Sequence, residues 1–449
     1  MILSFQKLIL TSWLPERLLM KIAFISLGCS KNLVDSQRVL GMLLPACQMT
    51  SEYQDAEVIF INTCGFVEEA KREAIDTILE IAEYKKHGHC KKLIVLGCLV
   101  ERYKAELAQE MPEIDLLVPI RDYSRLKVII NDFLQLNLKE EFGGKRQLSG
   151  LPGSAYLRIA DGCDNRCSYC AIPLIRKEYR SEPLEKLVEE AEILAEQGVK
   201  ELVLIAQDTT LYGQDLYGEP RLITLLEALS KIDKLHWLRI LYMYPSRLTK
   251  ELIDAMVALP KVLLYFDLPL QHGSDRILHL MNRQGSMASF KENVAYIAAL
   301  KLPYVLRTTM MVGFPGENDD DFSALIALVE QIKFHKLGAF IYSPEEDTPA
   351  FNYDNKVEEK TANARFHLLM QRQQVIAEQK NRELLNQELE VLVEAKKGQL
   401  YQARSLYQAP EGTDGFIWLR SDRELTLGEF YRARITAVAL YDLEAEVIF

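Results

Sequence analysis

The chain has 449 residues, 49% of them hydrophobic, with 53 basic against 64 acidic side chains and a formal net charge of −11. At roughly 100–200 residues per domain this predicts two or three domains, each apolar enough to build a core, and excludes disorder as the dominant state. No window holds the roughly 18 consecutive apolar residues that a membrane span needs, and the acidic balance argues against a broad nucleic-acid or anionic-lipid surface.

Residues 1–19 are apolar in patches but lack a basic start, an unbroken apolar stretch and a small-residue cleavage site, so they do not read as a secretory signal. A strand begins directly after Met20, and residues 1–19 are expected to be an upstream extension of a cytoplasmic protein. Its eight cysteines then sit in a reducing compartment, where clustered thiols hold metal or do redox work more often than they form disulfides.

From Met20 to Leu138 short apolar runs alternate with helical periods. The runs are IAFISLG (22–28), EVIFINT (57–63), KLIVLG (92–97) and IDLLVP (114–119). They predict an N-terminal doubly wound α/β domain with a parallel sheet over 20–138. A polar, glycine-containing stretch, 137–154, reads as a linker.

Alternation resumes over 149–380 with six candidate strands: AYLRIA, ELVLIAQD, WLRILYM, LLYFDLPLQ, YVLRTTMMVG and LGAFIYS. Six βα units give a partial (β/α)6 barrel, whose chemistry belongs at the C-terminal ends of its strands. After a long helical segment, 381–449 carries five short strands with period-2 alternation, the pattern of a small OB-like β-barrel that binds a partner.

The strongest local signal is GCDNRCSYC, which sets Cys163, Cys167 and Cys170 in a C-x3-C-x2-C spacing directly after a strand. Three thiolates on one loop can each bind a different iron of a cubane and leave the fourth iron without a protein ligand. The competing reading is a structural zinc loop, but closed zinc sites take four protein ligands and neither a fourth cysteine nor a histidine is near. A second signal is dispersed: Cys29, Cys64 and Cys98 each follow a strand of the N-terminal domain. The C-terminal ends of neighbouring parallel strands converge on one crevice, so these three thiols are also expected to meet. Cys47 and Cys90 match no motif and are expected to be bystanders.

The spacing around Cys163–Cys170, with Tyr169 before the last cysteine, resembles the radical S-adenosylmethionine (SAM) superfamily. Together with the dispersed triad and with SLGCSKNLVDS, NTCGFVEEAK, AIPLIRKEYRS, QDTTLYGQDLYG, LPLQHGSDRIL, MNRQG, LRTTMMVGFPGE and YSPEEDTPA, it resembles the radical SAM methylthiotransferase family from Met20 onward. The likeness is greatest to the branch that modifies ribosomal protein S12. What it implies is an enzyme with two [4Fe-4S] clusters, on Cys29, Cys64, Cys98 and on Cys163, Cys167, Cys170, and with SAM as cofactor. The terminal barrel would be a TRAM domain, and the reaction would methylthiolate the β-carbon of an aspartate of S12, with an electron donor such as flavodoxin or ferredoxin. In these relatives strand ends hold SAM, which points to Gln207, Gln271, Arg307 and Glu317 beside Tyr169. Tyr169 has packing as an alternative role, and each of the others has helix capping or loop bonding. After the cluster loop relatives typically read Arg-Gly and later Ser-Arg, where this chain has Arg176, Lys177 and then Ser181, Glu182, so the substrate contact at that point is left open.

Two other readings stand beside this one. A tRNA methylthiotransferase would show a basic stripe, whereas residues 388–449 carry eleven acidic and seven basic side chains, a balance that suits a basic protein partner better than tRNA. From another class, a non-catalytic iron-sulfur or zinc protein would bind a partner through its barrel and leave SAM intact.

Overall fold

The computed structural model describes residues 19–449, so the expected extension lies, apart from Leu19, outside the described residues. The chain divides into two units, one running to Gly150 and including Ala171–Glu178, the other comprising Leu151–Cys170 and Tyr179–Phe449.

The first unit is a five-stranded sheet of β1 (Met20–Ser26), β2 (Cys47–Met49), β3 (Val58–Thr63), β4 (Lys92–Gly97) and β5 (Leu116–Pro119), in the order β2-β1-β3-β4-β5, and all its pairings are parallel. Four of these strands match the apolar runs. The fifth, β2, is three residues long with no apolar run, and it forms because Met20 pairs with Cys47 along the open edge of β1. Cys47 is therefore a buried edge-strand residue, its thiol pushed up to about 11 by burial. Alternate residues of β1 and β3 feed opposite layers, as strand geometry demands. Phe24 and Phe60 face one core with Leu40 and Leu126; Ala23, Ile59 and Ile61 face the other with Ile78 and Leu107. The strand order reverses on either side of β1, and there the loops after β1, β3 and β4 share one end of the sheet.

In the second unit β6 (Ser154–Arg158) is followed by a two-stranded ribbon of β7 (Ala160–Asp161) and β8 (Arg180–Ser181). Then come β9 (Glu201–Ile205), β10 (Trp237–Ile240), β11 (Tyr265–Asp267), β12 (Val305–Val312) and β13 (Lys336–Ile341). They form two parallel three-stranded sheets, β6-β9-β10 and β11-β12-β13, joined by a single parallel bridge between Leu238 and Val262. The six expected strands therefore succeed one another in chain order as a partial barrel. After the helix Glu359–Arg382 the chain closes a five-stranded barrel from β14 (Glu388–Lys397), β15 (Leu400–Arg404), β16 (Ile417–Arg420), β17 (Phe430–Val438) and β18 (Leu443–Ile448). Its interior takes the inward alternation of Val391, Val393, Ala403, Ile417, Leu419, Ala433, Ile435 and Ala445.

The small barrel is tied to the larger one by a buried ionic chain. Arg239 Nε donates to Glu201 Oε1 at 2.8 Å, Arg404 reaches Glu201 Oε2 at 2.5 Å, and Arg404 Nε donates to Glu394 Oε1 at 2.7 Å. Burial alone would raise the Glu201 carboxyl, but Arg404 and Arg239 outweigh it and hold it below the usual carboxylate range. Its folded pKa is thus below its unfolded one, and the stability it contributes is present above about pH 4.3 and is lost as pH falls below that value. Glu201→Ala leaves buried Arg239 without a carboxylate and Arg404 with Glu394 alone, so denaturant titration is expected to show a loss of about 3–5 kcal/mol at neutral pH, with a weaker acid dependence than the parent.

Of the eleven acidic side chains of this barrel Glu394 and Asp414 are buried, as is Arg404 of the seven basic ones, so nine acidic and six basic groups remain at its surface. Glu394 is spent on Arg404, and buried Asp414 is held by Tyr265, Lys336 and Arg307. Asp442 accepts from Phe416 N and Trp418 Nε1, and Glu444 pairs with Arg420. A modest acidic excess therefore remains at the surface of the barrel.

Candidate active site

In the first unit three glycines let the three cysteine loops approach. Gly28 has φ +88, and a Cβ there would lie 2.7 Å from Cys64 Cβ. A Cβ on Gly65 would lie 2.8 Å from the backbone of Leu99, and one on Gly97, φ +107, would lie 2.4 Å from Asn62 Oδ1. Each glycine adjoins one of the three cysteines. Cys29 is exposed at the start of the helix Ser30–Leu43, Cys64 directly follows β3, and Cys98 opens the helix Cys98–Glu110. The three thiols lie within electrostatic range of one another. Burial, with a smaller contribution from the neighbouring thiols, pushes Cys64 up to about 11 and Cys98 up to about 12, while Arg176 opposes the rise at both.

A buried polar frame surrounds this triad. Asn32 donates to Leu27 O and Thr63 O at 3.1 and 3.0 Å, so one side chain clips the first cysteine loop to the second. Its Oδ1 accepts from Cys98 Sγ at 3.4 Å and from Arg176 Nη2 at 2.8 Å. Arg176 also donates to Asp35 Oδ2 at 3.0 Å and to Cys98 Sγ at 3.8 Å, and Arg176 and Asp35 are 2% and 1% exposed. The stretch around Arg176, left open above as a substrate contact, instead packs in this unit beneath the cysteines. Lys177, at the place where relatives carry glycine, adopts φ +62 and ψ −153, a region that only glycine enters without strain. Lys177→Gly is expected to raise stability by about 1 kcal/mol, read as a higher thermal midpoint.

In the second unit the loop after β7 carries Cys163, Cys167 and Cys170. It is anchored from two sides. Asn165 donates to Asp208 Oδ2 at 3.0 Å, and Arg247 bonds both Asn165 and Asp208. Asp208 is therefore fully buried as a loop anchor. On the other side Ser168 bonds Met281 O and Leu280 O, Asn282 donates to Arg166 O, and Arg283 Nη1 lies 3.6 Å from Cys167 Sγ and 3.4 Å from Tyr169 Oη. The MNRQG segment is thus the cradle of the cluster loop, a role that its sequence did not disclose. Tyr169 packs edge-on against Phe314 with ring centroids 6.5 Å apart. Burial pushes the Cys163 thiol up to about 11.

The residues expected to meet SAM divide into two sets. Gln207 and Gln271 each have a buried Oε1 without a hydrogen-bond partner, and Gln271 sits at φ +78 just beyond β11. Buried carboxamide oxygens are costly to leave unpaired, which marks them as groups awaiting a donor. Arg307 and Glu317 are engaged with protein groups instead. Arg307 lies five residues before the C-terminal end of β12, about 16 Å from it at 3.3 Å per residue, and its guanidinium is bound by Asp267 at 2.7 Å and Asp414 at 3.4 Å. Glu317 accepts from Arg365 at 2.7 Å and from Gly313 N at 2.8 Å, with His272 Nε2 at 3.5 Å. Both residues spend their polar atoms on the protein, and His272 is part of the same buried structural set.

The donors fit clusters better than single ions. Among the described residues no three His, Cys, Asp or Glu side chains converge to hold one metal ion, whereas a cubane asks each thiolate to reach a different iron. The thiol chemistry, the glycine cradles and the unpaired Gln207 and Gln271 oxygens all accommodate such groups and a polar cofactor beside them.

Comparisons with known proteins agree with this geometry. Family models match residues 21–119 (Uncharacterized protein family UPF0004), 157–329 (Radical SAM superfamily) and 387–448 (TRAM domain). Proteins named ribosomal protein uS12 methylthiotransferase RimO are similar over nearly the whole chain. The one from Pelotomaculum thermopropionicum is 44% identical across 95% of this chain and 99% of its own, and that from Clostridioides difficile 43% across 96% and 99%. The chain belongs to the ribosomal protein uS12 methylthiotransferase family. As a methylthiotransferase it is an enzyme that inserts sulfur and transfers a methyl group, and its cofactors are SAM and [4Fe-4S] clusters. Among solved structures the radical SAM methyltransferase TsrM from Kitasatospora setae, with cobalamin and a [4Fe-4S] cluster bound, matches with a TM-score of 0.54. At 13% identity, covering 74% of this chain and 77% of that one, it speaks for the fold of this methylthiotransferase alone. No helix among the described residues is long and apolar enough to cross a membrane.

Proposed function

We propose that this methylthiotransferase holds one [4Fe-4S] cluster on Cys163, Cys167 and Cys170 and a second on Cys29, Cys64 and Cys98, and acts on the β-carbon of an aspartate of ribosomal protein S12. The observation that carries the two-cluster reading is the repetition of one arrangement: three thiols gathered by short loops, with one sulfur of each set near an arginine, buried Arg176 at Cys98 and half-buried Arg283 at Cys167. A cluster with one iron free of protein supplies the electron for SAM cleavage when bound.

Around it the chain has separable tasks. The Leu280–Arg283 segment and Asp208 orient the cysteine loop. Gln207 and Gln271 offer acceptors to the amino and hydroxyl groups of SAM, and Tyr169 with Phe314 closes an apolar wall. In this reading 20–138, 149–380 and 381–449 serve sulfur chemistry, SAM chemistry and partner binding, with a flavodoxin or ferredoxin as electron donor. S12 rests on the family relationship, and the modest acidic excess at the surface of the small barrel suits a basic partner.

Gln271→Ala is expected to raise the KM for SAM roughly tenfold, about 1.4 kcal/mol, by removing one bond to the bound cofactor; an unchanged KM takes Gln271 out of the site. For the substrate, S12 and tRNA from a strain lacking this protein are compared by mass spectrometry before and after complementation. Return of a methylthio group on an S12 aspartate is the expected result. Its return on tRNA with S12 unmodified overturns the reading.

A further inference from the structure

We propose that Arg176 is a positioning residue for the cysteine crevice of the first unit, holding its guanidinium charge beside the Cys98 sulfur and so setting the reduction potential of the group held there. The inference rests on the reading that Cys29, Cys64 and Cys98 hold a cluster, and adds a residue outside both cysteine sets.

Three observations place Arg176 in this role. It is fixed: Nη2 has Asn32 Oδ1 at 2.8 Å, Asp35 Oδ2 at 3.0 Å and Cys98 Sγ at 3.8 Å, with 2% of the side chain exposed. It is delivered on purpose-built backbone, the short helix Ile172–Arg176, whose Ala171 and Ile175 pack in one apolar cluster with Cys98 itself. Its acceptors are the same residues that frame the triad, because Asn32 also holds the first and second cysteine loops together. A salt bridge built only for stability needs none of this, since a buried ion pair roughly breaks even against an apolar pair of the same volume.

The chemistry follows from sulfur. A thiolate bound to iron keeps lone-pair density, and hydrogen bonds to cluster sulfurs, together with nearby net charge and solvent exposure, set cluster potentials. Residues behind the ligands also orient them, and removing one typically costs 10–100-fold in metal affinity. Arg176 brings positive charge and Asp35 brings the compensating negative charge, and the arginine is the member that faces the sulfur. The two residues should therefore act in opposite directions: loss of Arg176 makes the reduced cluster harder to form, and loss of the Asp35 charge makes it easier.

The test uses the full chain with Cys163, Cys167 and Cys170 changed to alanine, so that any remaining cluster belongs to the crevice, reconstituted without oxygen with iron and sulfide. Iron content, the electron paramagnetic resonance signal after reduction, the midpoint potential and the rate of iron loss to a chelator are recorded, with circular dichroism to check folding. If this background protein binds no iron, the cluster reading itself fails. With about four irons bound, Arg176→Met is expected to shift the midpoint to more negative potential and to speed iron loss 10–100-fold, and Asp35→Asn to shift the midpoint to more positive potential. Arg176→Lys keeps the charge without the planar fork, and should restore part of the potential while iron loss stays fast. Should Arg176→Met not fold, Asp35→Asn and Arg176→Lys decide. Unchanged midpoints in the folded variants, or shifts of the same sign for Arg176→Met and Asp35→Asn, overturn the proposal.

Discussion

Alanine in place of Cys163, Cys167 or Cys170 is expected to reduce formation of 5′-deoxyadenosine from SAM to the level seen without protein. Two thiolates cannot hold a cubane with one iron open, and the neighbouring Asn165 and Asp208 are committed to each other and to Arg247. Cys167→Ala should be the most damaging of the three, because it also leaves the half-buried Arg283 guanidinium without its sulfur neighbour. The assay is chromatographic detection of 5′-deoxyadenosine after chemical reduction under anaerobic conditions. Iron per chain should fall from about eight to about four. Alanine at Cys90, a buried thiol that bonds Lys92 O at 3.4 Å and stands apart from both triads, is the control that should change neither value. Wild-type cleavage by the Cys167 variant would sink the assignment.

Alanine at Cys29, Cys64 or Cys98 is expected to divide the reaction at a different point. SAM is still cleaved, since the cysteine loop of the second unit and its cradle are untouched, but no methylthiolated product forms. Product on the S12 peptide should drop at least a hundredfold, while 5′-deoxyadenosine formation stays within about twofold of wild type. The crevice has no other thiol to substitute, because Cys47 lies on the edge strand β2 and Cys90 precedes β4. Mass spectrometry of the peptide and chromatography of the nucleoside, run on one reaction, separate the two outcomes. Retained product with all three cysteines changed would mean that sulfur is handled elsewhere.

The parts legible in the sequence are those encoded over short distances. Alternation of period 2 and helical periods located the strands of both α/β units and all five strands of the terminal barrel, and the C-x3-C-x2-C spacing marked a cluster loop without help from the fold. Cys29, Cys64 and Cys98 could be grouped because a parallel sheet repeats its strand ends, one βα unit apart. The edge strand Cys47–Met49 escaped because its pairing with Met20, not its composition, makes it a strand. The sequence did not show that Gln207 and Gln271 keep an unpaired carboxamide oxygen while Arg307, five residues before the end of its strand, is paired with Asp267 and Asp414.

Other features belonged to the tertiary structure because they depend on which charges become neighbours. Asp35 and Arg176 are 141 residues apart in the chain, and Glu317 meets Arg365 from 48 residues away. Neither pair has a pattern that spacing can reveal. The acidic count of the terminal barrel did not show which carboxylates are internal: Glu394 is buried on Arg404 and Asp414 on Tyr265 and Arg307, while most of the others stay at the surface. The sequence by itself determined the secondary elements, the two thiol triads and the family, through periodicity and short spacing. Only folding decided which polar groups are spent on one another and which stay open to a cofactor, because an ionisable side chain acquires its role from partners that close in across the fold and from the water they exclude.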